Sequence, residues 1–140
     1  MSKEELIAGL NEDLAAEWGT VIRYTYQAAK SFGIRGIELR EMFAEETQDE
    51  LGHAAFLTDV IIDLGGEPTS QPKDFEKPDD LKAMLELDLK LELEDVENYM
   101  KHAQMAGELG LVELEMKLEE MAADEAGHAR ELRRILKGFD

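Results

Sequence analysis

The sequence predicts an all-α fold, a four-helix bundle with a long crossover between its second and third helices. Alanine, leucine, glutamate, lysine and methionine are abundant, and only three of the 140 residues are prolines, a composition that favours helix. Apolar side chains recur at alternating spacings of three and four in four long segments, which is the pattern of bundle helices. At this length the chain is expected to form one domain over residues 1–140.

The first helix is predicted to run from residue 3 to about residue 31. Ser2 and Glu5 have the spacing of a capping box at its start, and Gly33 and Gly36 are expected to form the turn that follows. Its inward stripe consists of Leu10, Leu14, Glu17, Val21, Tyr24 and Ala28. One position of this otherwise apolar stripe is therefore a carboxylate.

The second helix is predicted from about residue 37 to residue 64, because Gly65 and Gly66 end it and Pro68 prevents its resumption. Its stripe consists of Leu39, Phe43, Glu46, Glu50, His53, Leu57, Val60 and Leu64. Residues 65–78 contain all three prolines and show no periodicity, so they are expected to form the crossover. Fourteen extended residues reach roughly 45 Å, which is enough to return along a helix of about 28 residues.

The third helix is predicted over residues 79–107, starting at Pro78 and Asp79, and the fourth over residues 111–137. The stripe of the third helix consists of Leu81, Leu85, Asp88, Glu92, Val96, Tyr99 and Ala103. That of the fourth consists of Leu111, Leu114, Leu118, Met121, Glu125, His128, Leu132 and Ile135. Each of these two stripes again carries charged or titratable residues at positions where leucine is expected.

A short motif recurs in the two halves of the chain. Residues 49–54 reappear 75 positions later as residues 124–129, each copy with Glu-x-x-His, and each has a further glutamate 33 residues upstream of its motif glutamate. The recurring residues form two equivalent triplets: Glu17, Glu50 and His53 in the first, and Glu92, Glu125 and His128 in the second. All six lie on the predicted inward stripes.

Buried carboxylates at these positions need a physical cause. An ionised carboxylate in an apolar core costs several kcal/mol unless it is paired or bound to metal, and the predicted stripes contain no lysine or arginine. Carboxylate and imidazole ligands suit iron or manganese, and the absence of cysteine disfavours zinc and copper(I). The triplets therefore predict a site for two Fe ions per subunit, with Mn as the alternative and a metal-free, salt-bridged core as the competing interpretation.

Other residues near the stripes have more than one interpretation. Glu46, Asp49 and Asp88 are candidates to support the ligands by hydrogen bonding. Transient metal binding is an alternative role for Glu46 and Asp88, and ordinary polar core positions explain these two residues equally well. Tyr24, on the stripe of Glu17, is a candidate hydrogen-bond or electron donor, or a plain core tyrosine. The remaining predictions are a solvated face for Glu94 and Glu97, a packing or interface role for Trp18 and a surface position for His102.

Over nearly all its length the chain resembles bacterioferritin, a ferritin-like di-iron carboxylate protein whose ligand set is two single glutamates and two Glu-x-x-His pairs. The resemblance is clearest over residues 49–54, 84–93 and 124–128. It implies that the six residues of the triplets are ferroxidase ligands, with Glu50 and Glu125 bridging and Tyr24 beside the site. It also implies oxidation of Fe(II) by O2 or H2O2, serving iron storage, detoxification and protection against oxidative stress.

Two departures from bacterioferritin bear on cofactor and assembly. The family binds haem through a methionine directly after the bridging glutamate of the second helix, whereas this chain has Leu51 there, so no haem is expected. The sequence also ends twelve residues after His128, without the fifth helix of the 24-subunit cages. It therefore looks more like the smaller Dps-like proteins, so a dodecameric shell is expected, with a dimer as the alternative. Apolar residues outside the stripes are expected to form the interface: Trp18, Ile22, Tyr26, Phe32, Ile34 and Phe56.

Composition and charge restrict the other function classes. A net charge of −18 repels nucleic acid and anionic lipid and attracts cations. No apolar run approaches the ~20 residues needed to span a membrane, and the N-terminus lacks a secretory signal pattern, so a cytoplasmic protein is expected. A rubrerythrin-like peroxidase and a manganese catalase stay open as alternatives, and so does a metal-free structural bundle. The cysteine-bound iron domain of rubrerythrins is excluded by the lack of cysteine.

Overall fold

Four helices account for most of residues 2–139, the part of the chain that the computed structural model describes. They are α1 (Lys3–Ala29), α2 (Gly33–Asp63), α3 (Leu81–Glu108) and α4 (Val112–Lys137). Within that range the chain has no β-strand, and the helix ends lie within four residues of those predicted. The all-α prediction is confirmed. None of these helices combines the length and the apolar character that crossing a bilayer requires.

Local signals set three of the helix ends. The Ser2 hydroxyl accepts a hydrogen bond from the Glu5 backbone N–H at 3.1 Å, which is half of the predicted capping box. Asp80, in an extended conformation, caps α3 by accepting from the Ala83 N–H at 2.9 Å. After α2, Gly65 takes a φ of +91°, a left-handed conformation that ends a helix at little cost in glycine.

The turn between α1 and α2 is shorter than predicted. Helix α2 begins at Gly33, so Gly36 is buried inside its first turns and is not part of the turn. A Cβ at Gly36 would lie 2.4 Å from the carbonyl oxygen of Ser31, and that carbonyl accepts a hydrogen bond from Arg40 Nη1 at 2.7 Å. Glycine is therefore required here for close packing against the residues that follow α1. The prediction that Gly36 belongs to the turn is wrong.

The chain divides into two compact units. One contains Leu14–Glu76, and the other contains Met1–Asp13 with Lys77–Asp140. In the Leu14–Glu76 unit the crossover packs against α1: the Lys73 N–H donates to the Ala15 carbonyl at 2.8 Å, and the rings of Tyr26 and Phe75 lie 6.1 Å apart. These contacts hold the later part of the crossover against α1. The single domain expected from length stays a prediction.

In the other unit, α3 and α4 contact each other along their apolar faces. The first turns of α1 belong to this unit as well, and the side chains of Asp13 and His102 link α1 to α3 through a contact of 2.6 Å. Fully buried leucines contribute about 1.5–3 kcal/mol each to such a core, and Leu6, Leu10, Leu85 and Leu118 are all fully buried. The core of this unit is therefore built mainly on the predicted stripes.

The inward stripes are mostly those predicted, although Val21, Ala28, Leu81, Val96, Leu111 and Ile135 are only half-buried. In α1 the buried positions are Thr20 and Gln27 instead of Val21 and Ala28. At the end of α2 the buried position also drifts. There Ile61 is fully buried, whereas Val60 and Leu64 are half-buried. A strict alternation of three and four residues corresponds to 3.5 residues per turn, and an α-helix with 3.6 rotates away from it by about 20° in each heptad. Over the 31 residues of α2 this drift moves the buried position from Val60 to Ile61.

Candidate metal centre

The first triplet lies within the Leu14–Glu76 unit, with Glu17 on α1 and Glu50 and His53 on α2. Nδ1 of His53 is 3.7 Å from Oε2 of Glu17 and 3.8 Å from Oε1 of Glu50. Both glutamates are fully buried, and His53 is 5% exposed. The i, i+3 spacing on α2 places Glu50 and His53 on one helix face, and each residue offers a ligand atom within 4.8 Å of those of the other two.

The second triplet repeats this geometry in the other unit, with Glu92 on α3 and Glu125 and His128 on α4. Nδ1 of His128 is 3.7 Å from Oε2 of Glu92 and 3.5 Å from Oε1 of Glu125. Again both glutamates are fully buried, and His128 is 8% exposed. The sequence repeat is therefore also a repeat of burial and of interatomic distances.

These distances match the spacing of metal ligands. Separations of 3.5–3.8 Å between imidazole nitrogen and carboxylate oxygen exceed those of good hydrogen bonds. Two ligand atoms, each about 2.0–2.2 Å from one ion, lie about 3–3.6 Å apart at octahedral or tetrahedral angles. The first triplet therefore fits a divalent first-row cation such as Fe(II) or Mn(II) with little movement of its side chains. In the second triplet each glutamate lies at such a distance from His128, and the donor set of both triplets suits either metal.

Charge strengthens the case for a cation. Eight carboxylates are buried among residues 2–139: Asp13, Glu17, Glu46, Glu50, Asp88, Glu92, Asp95 and Glu125. Across the same range Arg23 is the one buried lysine or arginine, and its guanidinium lies 5.1 Å from the ring centre of Tyr24. Even with all three buried histidines protonated, eight negative charges would face four positive ones, and burying such an excess without counter-ions is costly.

The residues predicted to support the ligands differ in burial. Glu46 is 7% exposed, and Asp88 and Tyr24 are fully buried, whereas Asp49 is exposed. Tyr24 packs on Phe43 with ring centres 5.1 Å apart, so its core role is established. Its role beside a metal site stays a prediction, and so do the roles of the other three residues.

Several buried polar residues were missed or misjudged from sequence. Asp95 was missed, although it offers an oxygen within 4.8 Å of ligand atoms of both Glu92 and Glu125; its i+3 spacing from Glu92 was the available signal. Arg23 was missed as a buried cation, as no stripe position contained one. The surface position predicted for His102 is wrong: it is 4% exposed and paired with Asp13. Glu97 is exposed as predicted, and Glu94 is half-buried.

Comparison with known proteins assigns this chain to a family. Residues 7–140 match the ferritin-like domain of the ferritin family. Bacterioferritin from Brucella melitensis biotype 1 is 30% identical over 127 residues, covering 89% of this chain and 78% of that protein. A solved ferritin-like, diiron-carboxylate protein from Bacillus anthracis str. Ames is 43% identical, with a TM-score of 0.94 and coverage of 97% of this chain and 99% of that one.

A more distant solved structure has the same fold. The bacterioferritin of Desulfovibrio desulfuricans, described with its diiron site in different catalytic states, is 25% identical, with a TM-score of 0.85 and coverage of 96% of this chain and 80% of that one. These likenesses confirm the predicted ferritin-like four-helix bundle. Taken with the family match over residues 7–140 and the bacterioferritin relative, they establish that the chain belongs to the ferritin family and contains its ferritin-like domain.

Proposed function

We propose that the protein is a ferroxidase whose two triplets together bind two Fe(II) ions as substrate and oxidise them to Fe(III). The observation that carries this proposal is the pair of triplets with equal chemistry, burial and spacing. Membership of a family with diiron relatives supports iron as the metal. Four buried glutamates and two imidazoles are a sufficient ligand set for two ions that keep open positions for an oxidant.

Each ligand has an assigned role in this proposal. Glu17 and His53 bind one iron and Glu92 and His128 the other, while Glu50 and Glu125 bridge the two. The sequence repeat supports this division, since it relates the two triplets residue by residue. The carboxylates offset the charge that rises from Fe(II) to Fe(III), and their helical scaffold holds them in place before iron arrives.

Pairing the irons allows two-electron chemistry. Two Fe(II) ions give one electron each to O2, which with two protons becomes H2O2, or to H2O2, which with two protons becomes two water molecules. No radical needs to leave the site, because both electrons are supplied together. The Fe(III) product would then hydrolyse and be stored or released, so the proposed role is iron storage and detoxification with protection against oxidative stress.

Further proposals concern haem and assembly. Leu51 has no donor atom for haem iron, so we propose that the protein binds no haem in the bacterioferritin manner. Ile22, Phe32 and Ile34 are 48%, 72% and 88% exposed, whereas Trp18, Tyr26 and Phe56, the other predicted interface residues, are half-buried. We call these six residues the α1–α2 patch. Exposed apolar groups of this kind favour a homo-oligomer, and a dodecameric shell is the proposed form.

Anaerobic Fe(II) titration followed by rapid mixing with O2 or H2O2 tests the proposed function. The expected result is rapid oxidation of two Fe(II) per subunit, with X-ray anomalous scattering at the iron edge locating both ions among the triplet ligands. A catalase would instead evolve O2 from H2O2 after loading with Mn(II), and a peroxidase would turn over H2O2 only with a separate electron donor. Absence of bound iron after loading would favour the metal-free bundle and contradict the proposal.

A further inference from the structure

The inward stripe of α3 carries three carboxylates on successive turns. Asp88 and Glu92 are fully buried and Asp95 is 8% exposed, and their spacings of four and three residues place them on one face of the helix. Asp95 thus occupies the place in the stripe that was predicted for Val96, which is half-buried. Because Glu92 belongs to the second triplet, Asp95 lies one turn from a proposed iron ligand without being part of either triplet.

Asp95 is an unfavourable residue at this place in a helix. Helix α3 contains residues Leu81–Glu108, so Asp95 is in its middle. Aspartate stabilises a helix at its N-terminal end, by capping or through its charge, and it is disfavoured in the interior. Like charges three residues apart also repel each other, and Glu92 is at that spacing. A buried aspartate at this position therefore needs a compensating positive charge.

The protein itself supplies little positive charge to this region. In the unit that contains α3 and α4, all described lysines and arginines are exposed except Lys117, which is half-buried and pairs with Glu120 at 3.9 Å. Of the two buried histidines in this unit, His102 is paired with Asp13, which leaves His128. The other buried carboxylates of the unit are Asp88, Glu92, Asp95 and Glu125. A single imidazolium would offset only one of these four charges.

Asp95 is close enough to the second triplet to share an ion with it. Ligand oxygens of Glu92, Asp95 and Glu125 all lie within 4.8 Å of one another. Oxygens bound to one ion at about 2.0–2.2 Å are at most about 4.4 Å apart, so a small closing movement of the side chains brings all three to one ion. Nδ1 of His128 lies 3.7 Å from Glu92 and 3.5 Å from Glu125. This imidazole distinguishes the group from an acidic patch, because carboxylates with imidazole are a ligand set that suits iron and manganese.

We propose that Asp95 is a direct ligand of the ion held by the second triplet, and that this position therefore fills before that of the first triplet. The inference rests on the proposed binding of metal by the triplets. Thr20 occupies the related position in the first half of the repeat, and its hydroxyl donates to the Ala16 carbonyl of its own helix at 2.9 Å. The second triplet thus has one more negative charge at short range, which attracts a cation more strongly.

A purely structural role for Asp95 predicts the opposite behaviour. Asp95→Asn keeps the shape of the side chain and removes its charge. If Asp95 only supported the fold, this variant would melt at a lower temperature and bind metal as before. For a ligand, the metal-free variant should melt at an equal or higher temperature, because one charge leaves a repelling group, and it should bind metal more weakly. Thermal melts of the metal-free proteins, monitored by circular dichroism, provide the first measurement.

Stepwise titration with Zn(II), followed by ¹⁵N NMR of the imidazoles, tests the order of filling. The chain has only three histidines, so each ring signal can be assigned by single replacement. In the wild type the first equivalent should shift the His128 signal before that of His53, whereas in Asp95→Asn both should shift together. Glu94→Gln removes a neighbouring half-buried charge and is the matched control, so it should keep the wild-type order. Simultaneous shifts in the wild type, or the wild-type order in Asp95→Asn, would overturn the proposal.

Anomalous scattering at the zinc edge, from crystals with one Zn(II) per chain, tests the contact itself. The ion should lie about 2.0–2.2 Å from an oxygen of Asp95. Zn(II) bound away from Asp95 would contradict this inference but not the proposed ferroxidase. Zn(II) bound at Asp95 in a protein that does not oxidise Fe(II) rapidly would support the ligand and contradict the ferroxidase. Absence of bound Zn(II) would contradict both.

Discussion

The two halves of the chain agree at the candidate metal ligands and differ around them. Positions 75 residues apart hold the same residue in both triplets and also at Tyr24 and Tyr99, which are both buried. In contrast, Thr20 corresponds to Asp95, and Arg23 to Asn98. The hydroxyl of Thr20 donates to the Ala16 carbonyl within its own helix, whereas Asp95 adds a carboxylate to the second triplet. The repeat has thus preserved the ligands while the residues around them have diverged.

The largest expected effect tests the equivalence of the triplets. Glu50→Ala and Glu125→Ala should each slow rapid Fe(II) oxidation at least 100-fold, because each removes a proposed bridging ligand. The helical fold should persist, and the melting temperature of the metal-free protein should stay equal or rise, since one charge leaves a repelling cluster. Stopped-flow oxidation and thermal melts monitored by circular dichroism are the measurements, with Glu119→Ala as control. Normal oxidation in either variant contradicts the assignment of that glutamate.

Assembly should depend on one half only. Trp18, Ile22 and Tyr26 of the α1–α2 patch correspond to Leu93, Glu97 and Lys101 in the second half, so the related face of α3 is more polar. Ile22→Glu gives α1 the negative charge that Glu97 provides at the related position of α3. The variant should break the shell into dimers or monomers. Glu97→Gln on the related face should leave the mass unchanged. Light scattering at micromolar concentration measures both, and a wild-type mass of a monomer or dimer would exclude the shell.

Asp95 should make the two triplets unequal in affinity. Asp95→Asn should weaken the binding of a redox-inert probe, Co(II), by about tenfold, because it removes a charge close to Glu92 and Glu125. Replacement at the related position, Thr20→Ala, should leave Co(II) affinity unchanged. Calorimetric titration with visible absorption of bound Co(II) measures both variants. Equal affinities in wild type and Asp95→Asn would show that Asp95 is a structural residue.

The smallest expected effect concerns haem, for which no binding signal is expected. The residue directly after the motif glutamate is Leu51 in the first half and Ala126 in the second, and neither side chain can ligate haem iron. Protein reconstituted with haem should therefore show no absorbance typical of bis-methionine ligation. Detection of that spectrum would mean that another of the seven methionines provides the ligand.

Periodicity predicted most of the residues that face inward, but it missed several buried polar residues and gave no information on partners. Glu125 and His128 were correctly expected to be buried because all the remaining positions of their stripe are apolar. His102 was misjudged because its neutralising partner, Asp13, lies 89 residues away, and no local pattern joins the two positions. Gly36 was likewise misread as a turn residue, since the close approach of the Ser31 carbonyl exists only after the chain has folded. Close contacts of this kind depend on tertiary packing.

If the proposed site binds iron, the excess of buried acid makes the stability of this protein depend on metal supply. A ligand that binds only the folded chain adds about 2.7 kcal/mol to the free energy of unfolding at a concentration 100 times its Kd. The eight buried carboxylates provide this linkage, because cations relieve a repulsion that only the folded state contains. Without bound metal, the chain should unfold more often and be degraded faster by proteases. Its abundance in a cell would then follow the supply of iron even without any change in its synthesis.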